Sequence, residues 1–272
     1  MFISHRYQVI FIHIQRTGGY SIHDIFRQYD ADLIESIPLD PNKQRVRHCY
    51  ASDISDYLDP EVFKSYRKFC VVRHPYARMQ SWYNVLKAGY GKNEPKMLTK
   101  TPVQKLYQKS IHYLNSHPNK INGIIANNLS LLFRFLDSIT NKDGNFDLIL
   151  QGENTGNKVL VEVNTYAKTF NDFLNLPRDK ANGLFERFYT SQLDYISDTQ
   201  GKILVDDILH LEDLDNDFNT FAEKVNFPGR LQHLNKSKNS SIKDKNIQNE
   251  IINKNIIKQR FEKDLSYFGY TL

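Results

Sequence analysis

Cysteine is scarce: the 272-residue chain carries two, Cys49 and Cys70. Neither belongs to a CxxC pair or to a Cys/His cluster with zinc-like spacing, which argues against both a structural metal and a disulfide framework. Long apolar runs are missing too. The longest strongly apolar stretch near the start, Val9 to Ile14, is too short for a membrane helix and lacks the charged n-region and cleavage site of a secretory leader. The expectation is a soluble protein of a reducing compartment, most simply the cytoplasm, although a chain cut away from a lumenal membrane anchor would look the same. No internal repeat is present. No G-x-x-x-x-G-K-[ST] loop with a Mg²⁺-holding carboxylate occurs either, which speaks against a nucleotide kinase.

What the chain does have is material for a core. Hydrophobic residues make up 40%, and 16 Tyr with 17 Phe argue against disorder. The length suits one α/β domain with insertions. The formal net charge of +5 suits an anionic partner such as a nucleotide, an acidic glycan, a nucleic acid or a lipid surface.

Two stretches read as strand, tight loop and helix. Residues 7–14 (YQVIFIHI) are β-branched and aromatic and run through Gln15-Arg16-Thr17-Gly18-Gly19-Tyr20-Ser21 into a helical pattern from Ile22 to Tyr29. After a helix-like run from Ala51 to Tyr66, the segment Lys68 to Arg73 (KFCVVR) is a short buried strand. His74-Pro75 makes the turn, and a helix continues through Trp82 to Leu86. Two such units imply a central parallel sheet flanked by helices. The middle, about 95–140, reads as a mainly helical insertion with breaks near Pro118 and Gly123, and 146–163 as a hairpin around the polar turn Glu153 to Asn157. Residues 192–211 suggest two extended pieces around Gln200-Gly201, followed by an amphipathic helix from Leu214 to Val225. A polar, basic loop at 235–246 leads to a last helix near Ile247 to Phe268. The expected organisation is one domain over 1–272, with an insertion at about 90–190 and a basic loop plus helix at about 235–272.

A strand that ends in a glycine turn and opens a helix gathers backbone N–H groups, and the positive end of the helix dipole, around one point where an anion can sit. Gly18 and Gly19 allow close approach, Thr17 and Ser21 add hydroxyls, and Arg16 adds a cation. Arg73 stands at the C-terminal end of its strand, where α/β sheets bind ligands, and Ser81 lies two helical turns into the next helix; together they suit one phosphate. Arg78 is placed to pair with a carboxylate or to shape the loop. His13, alternating with apolar residues, reads as a packed or hydrogen-bonded core histidine.

Phe11 to Gly19 (FIHIQRTGG) resembles the 5′-phosphosulfate loop of the family that holds heparan sulfate 2-O- and 6-O-sulfotransferases and many bacterial carbohydrate sulfotransferases. Phe69 to Tyr83 (FCVVRHPYARMQSWY) resembles that family's 3′-phosphate motif, R-[DN]-P-x-x-R-x-x-S-x-[YW]. The likeness continues at Gln192 to Gly201, Leu211 to Leu214, Leu234 to Ser237 and Asp264 to Tyr270. It implies a P-loop-like three-layer fold and a metal-independent enzyme. That enzyme would carry a sulfuryl group from 3′-phosphoadenosine 5′-phosphosulfate to a carbohydrate hydroxyl. The implied donor-binding residues are Arg16, Thr17, Gly18, Gly19, Tyr20, Ser21, Arg73, Ser81, Lys236 and Ser237. Two positions depart from the pattern: Arg16 stands where the family carries Lys, and His74 where it carries Asp or Asn. Arginine keeps the charge but is larger, planar and forked, whereas lysine is a compact donor.

Sulfuryl transfer needs an in-line acceptor oxygen, charge stabilisation on the leaving oxygen and a base for the hydroxyl proton. His48 opens His48-Cys49-Tyr50-Ala51-Ser52-Asp53-Ile54, which resembles the family's H-x-x-A-x-[DE]-[LI] segment with its catalytic histidine. Its other reading is a partly exposed residue beside a helix start. An unperturbed imidazole, titrating at about 6.5, suits the task, with Arg16 as the stabilising cation and Glu212 and Asp53 as competing carboxylates. Two further readings stand beside this one. An inactive relative that only holds the nucleotide or an acidic glycan would keep the same loops. Nucleic-acid binding is not expected, since the Lys/Asn-rich segment from 235 onward has charge but no reading motif and few interleaved aromatics.

Overall fold

A computed structural model describes residues 1–37, 48–88, 159–179, 183–231 and 247–272. The contacts fall into two units, Met1–Val85 with Val163–Leu272, and Leu86–Glu162. Of the second unit, residues 86–88 and 159–162 are described, and both stretches are helical.

The first unit is built on a four-stranded sheet in the order β1 (Phe2–Ser4), β2 (Val9–Ile12), β3 (Arg67–Val72) and β4 (Asp207–His210). β2, β3 and β4 are parallel, with Ile12 opposite Cys70 and Val72 opposite His210. The sheet is mixed rather than all parallel, because β1 runs antiparallel to β2, with Phe2 opposite Phe11. Residues 5–8 are the whole connection, and so short a link can return the chain only antiparallel. Gln8 makes the turn with φ 52°.

Side-chain alternation divides the core between the two faces. Ile10, Ile12, Cys70 and Val72 pack with Ala51, Ile54, Tyr195 and Ile196, from α2 (Ala51–Tyr57) and the later helix Gln192–Ile196. Val9, Phe11, Phe69, Val71 and Leu209 pack with Ile22, Ile25 and Phe26 of α1 (Gly19–Tyr29), and with Phe218 and Phe221 of the helix Leu214–Lys224. Burial on both faces is why β2 and β3 read as unbroken apolar runs. The parallel pairing of β2 and β3 sets both strand ends, and the loops that follow them, along one edge of the sheet.

Several elements differ from expectation. The run from Ala51 to Tyr66 is two helices, α2 and α3 (Pro60–Ser65). They are separated where Asp59 accepts from the Glu61 and Val62 N–H groups ahead of Pro60 at the first helical position. α4 (Pro75–Ala88) starts directly after the His74 turn. Residues 159–163, expected as the second arm of a hairpin, are helical, in a helix over 159–166; the other arm and the 95–140 insertion lie outside the described residues. At 192–211 the first piece is the helix Gln192–Ile196, because Ser191 and Asp194 form a capping box. The antiparallel bridge Ser197–Ile203 then closes around Gly201, and β4 follows. The last helix is split into Ile247–Arg260 and Glu262–Tyr267 at Phe261. The basic loop 235–246 lies outside the described residues.

Candidate active site

The loop after β2 is shaped by packing that only glycine permits. Gly18 caps α1 at φ 82°, and a Cβ there would stand 2.5 Å from Leu211 Cδ1. A Cβ on Gly19 would stand 2.3 Å from His13 Cδ2 and 2.4 Å from His13 Nε2. No side chain caps α1 and no acidic residue lies in its first turn, so its N-terminal N–H groups and dipole keep their attraction for an anion. The Ser21 N–H leans back to the Gly18 carbonyl at 3.2 Å. Thr17 is fully buried and its hydroxyl donates to the Ile14 carbonyl at 2.9 Å. It therefore braces the loop from below, while Tyr20 is 48% exposed at the rim.

Arg16 sits in the left-handed region, at φ 69°, a conformation unusual for a branched-free but bulky residue and typical of functional loops. Its Nε and Nη2 both donate to Ser81 Oγ, at 3.2 and 3.1 Å, and its guanidinium lies 5.9 Å from the Trp82 ring centroid. Ser81, expected beside Arg73 on one phosphate, is thus bonded to Arg16. Arg73 in turn reaches the Arg16 carbonyl through Nη1 at 3.4 Å. The three side chains form one cluster at the mouth of the loop.

The β3–α4 corner is held from several directions. Gln192, fully buried, accepts the Arg73 N–H at 2.9 Å and donates to the Arg73 carbonyl at 2.8 Å. The next peptide donates its His74 N–H to Glu212 Oε1 at 2.8 Å. His74 Nδ1 accepts the Tyr76 N–H at 3.2 Å, and its Nε2 faces the Thr271 carbonyl at 2.7 Å. One partner donates and the other only accepts, so the proton sits on Nε2. The imidazole therefore caps α4, the task for which Asp or Asn is the usual residue. Arg78, 1% exposed, donates to the Gln15 carbonyl and the Thr190 carbonyl, each at 3.0 Å. Of its two expected roles, shaping the loop is the one these bonds serve. Buried Asp264 accepts the Gln192 and Leu193 N–H groups. Burial raises its pKa, against those bonds and the charge of Arg78.

Burial, and next the charge of Arg16, lower the pKa of the Arg73 guanidinium, while Glu212 and Tyr270 act the other way. Two like charges held side by side at a helix N-terminus form an arrangement whose repulsion an anion with several negative charges would relieve.

His48 lies on the flank of this loop. Its Nδ1 is 2.9 Å from the His13 carbonyl, which can only accept, so Nδ1 carries the proton and Nε2 is the basic nitrogen of the neutral ring. The His48 ring is 4.4 Å from that of His13, which stacks at 5.5 Å on Phe11 and touches the start of α1 at Gly19. His13 packs among rings but is only half-buried, short of the core position that its alternation with apolar residues suggests. Of the rival carboxylates, Asp53 accepts the Tyr50 N–H at 2.9 Å as part of the α2 capping box. Glu212 accepts from His74 and, at 2.9 Å, from the Tyr270 hydroxyl.

The structure therefore brings together Arg16 to Ser21, Arg73 and Ser81, with His48 beside them. Lys236 and Ser237 lie outside the described residues. The sequence places Gln192, Leu211 and Tyr270 within stretches of family likeness but gives none of them a role, and the capping ring of His74 was missed. A buried glutamine far along the chain carries no local signal, whereas a histidine directly before a helix-starting proline could have been read as a cap. Among the described residues no group of three or more His, Cys, Asp or Glu could hold a metal, and no helix is long and apolar enough to cross a membrane. No curated protein and no solved structure matches the chain. The model of the sulfotransferase family matches residues 1–271, so this loop, with the arginine corner beside it, sits in a chain that belongs to the sulfotransferase family.

Proposed function

We propose that this protein transfers a sulfuryl group from 3′-phosphoadenosine 5′-phosphosulfate to a carbohydrate hydroxyl, in a single P-loop-like domain that works without a metal. Family membership supports sulfuryl transfer as the reaction class. The observation that carries the donor assignment is the paired, half-buried Arg16 and Arg73 at the uncapped start of α1. These residues fit a polyanionic nucleotide: backbone N–H groups at Gly18 to Tyr20 and the Ser21 hydroxyl for the phosphosulfate end, and Arg73 for the 3′-phosphate. Thr17 contributes through the loop it braces, and Ser81 orients Arg16.

The donor supplies an activated S–O bond. His48 Nε2 takes the proton of the acceptor hydroxyl as that oxygen bonds to sulfur; the bond from sulfur to the phosphate oxygen breaks, and its electron pair leaves with the nucleotide. Arg16 meets the charge that grows on the leaving oxygen. A protein that binds the nucleotide without transfer is the second reading, favoured by one observation: Arg16, in the position of the family's lysine, is already committed twice to Ser81.

Thermal melting with and without 3′-phosphoadenosine 5′-phosphate tests the donor assignment, since a ligand of the native state must raise stability. A rise at sub-millimolar concentration, larger than with ATP and Mg²⁺, is expected; equal responses remove the assignment. Arg73→Ala should weaken binding by about 1.5–3 kcal/mol. His48→Ala should bind nucleotide like wild type and lose about 10²–10⁴ in rate. Near-normal transfer by His48→Ala, with none by folded Glu212→Ala or Asp53→Ala, would move the base to a carboxylate.

A further inference from the structure

We propose that Glu212, His74 and Tyr270 form a latch through which the chain segment at 268–271 positions Arg73 for its anionic ligand. Three contacts close a loop. Glu212 Oε1 accepts the His74 N–H, Glu212 Oε2 accepts the Tyr270 hydroxyl at 2.9 Å, and the Thr271 carbonyl accepts from His74 Nε2 at 2.7 Å. The Tyr270 ring adds edge contacts to His74 at 5.2 Å and to His210 at 5.8 Å. The segment is itself anchored: Gly269 turns at φ 70°, and the Tyr270 N–H returns to the Leu265 carbonyl at 2.9 Å. That return is a C-terminal helix cap, which makes the segment a continuation of the last helix.

The latch acts on Arg73 because it holds the adjoining peptide. Gln192 fixes the Arg73 main chain on one side, and Glu212 fixes the His74 N–H on the other, so the guanidinium leaves a corner clamped at both of its peptides. Glu212 and Tyr270 also favour the charged form of Arg73, against burial and Arg16. Burial, then the bond to Glu212, push the Tyr270 phenol above its ordinary pKa, so it remains the donor in that bond. With both oxygens of Glu212 accepting hydrogen bonds, its role is to position the corner and not to take the acceptor proton.

The proposal rests on the reading of Arg73 as a donor ligand, and two measurements keep the failures apart. The first is titration with 3′-phosphoadenosine 5′-phosphate. Glu212→Ala and Tyr270→Phe should weaken binding by about 2- to 30-fold, the range of coupling through a positioning contact. Glu212→Gln, which can still accept from His74, should recover most of the loss. In turnover the change should fall on the KM for the donor, with kcat and its pH profile kept. The second is amide hydrogen exchange without nucleotide, in which His74 and Tyr76 should lose protection in Glu212→Ala and Tyr270→Phe. Unchanged exchange in both variants overturns the latch, as does a Glu212→Gln protein that binds nucleotide normally but does not turn over. A wild type that ignores the nucleotide sinks the donor reading alone, and exchange then decides the latch by itself.

Discussion

Gly19→Ala places one methyl group where the start of α1 meets the His13 ring, 2.3 Å from Cδ2 and 2.4 Å from Nε2. Alanine improves on glycine by up to about 1 kcal/mol in a helix interior, and by less at a first position. Against that gain stands a clash with a ring that has little room to retreat. His13 is stacked on Phe11 at 5.5 Å, lies 5.0 Å from the His23 ring and 4.4 Å from that of His48. Overpacking of this kind costs about 1–3 kcal/mol, so the clash wins, by about 1–2 kcal/mol. At the usual 2–4 °C per kcal/mol for a domain of this size, the melting temperature should fall by about 2–8 °C. The displaced helix start should also reduce the melting shift given by 3′-phosphoadenosine 5′-phosphate. Adding His13→Ala removes the obstacle. A double-mutant cycle read by urea unfolding should therefore show a favourable coupling of about 1 kcal/mol or more between the two substitutions. A Gly19→Ala protein that melts at or above wild type, or a cycle that closes to zero, refutes the packing of His13 against the anion loop.

Three further outcomes are expected. Arg16→Lys should keep nucleotide affinity within a few-fold and keep or raise turnover; a wild type inactive on every acceptor, with an equally dead Lys variant, favours the binding-only reading. Gln192→Ala leaves the Arg73 N–H and carbonyl without their buried partner and should cost about 1–3 kcal/mol in stability, with weaker nucleotide binding; a neutral effect in urea unfolding sinks the clamp. Burial pushes the Asp207 carboxyl up, but Arg67 and Lys224, both bonded to it, outweigh burial and hold it below its ordinary value. Its stabilisation is present above the unfolded carboxylate pKa, about 3.9, and is lost as pH falls through the lower folded value. Asp207→Asn should therefore be less stable by about 1–2 kcal/mol at pH 7, with a gap that narrows below pH 4; a gap independent of pH refutes the pairing.

Local sequence fixes a good deal of this molecule. The apolar runs at Val9–Ile12 and Arg67–Val72 and the glycine turn before α1 could be read directly, because strand burial and helix starts leave periodic and compositional traces a few residues long. Arg16, Arg73 and Ser81 could be nominated for the same reason: each follows a strand end within a recognisable motif. The breaks within the longer helical runs were harder to see, and so was β1, whose three residues carry too little pattern to register. The capping box at Ser191 and Asp194 starts a helix where the composition of 192–211 suggests an extended piece, since a cap acts through two side chains and not through periodicity.

The chain by itself thus determined the two strand–loop–helix units, their order, and the residue types offered to an anion. Only the tertiary structure decided which of those residues meet. Ser81 bonds to Arg16 and not to Arg73, Gln192 clamps a corner 119 residues away, and His48 is oriented by a carbonyl 35 residues before it. Glu212 and Tyr270 were drawn from a late helix start and a late turn to the same corner. The physical reason is the range of the forces. Propensity, capping and periodicity act over a turn or two of chain and are written in neighbouring letters. Hydrogen bonds and charge contacts across a sheet edge depend on how β2, β3 and β4 are laid side by side, and that arrangement exists only once both faces of the sheet are buried.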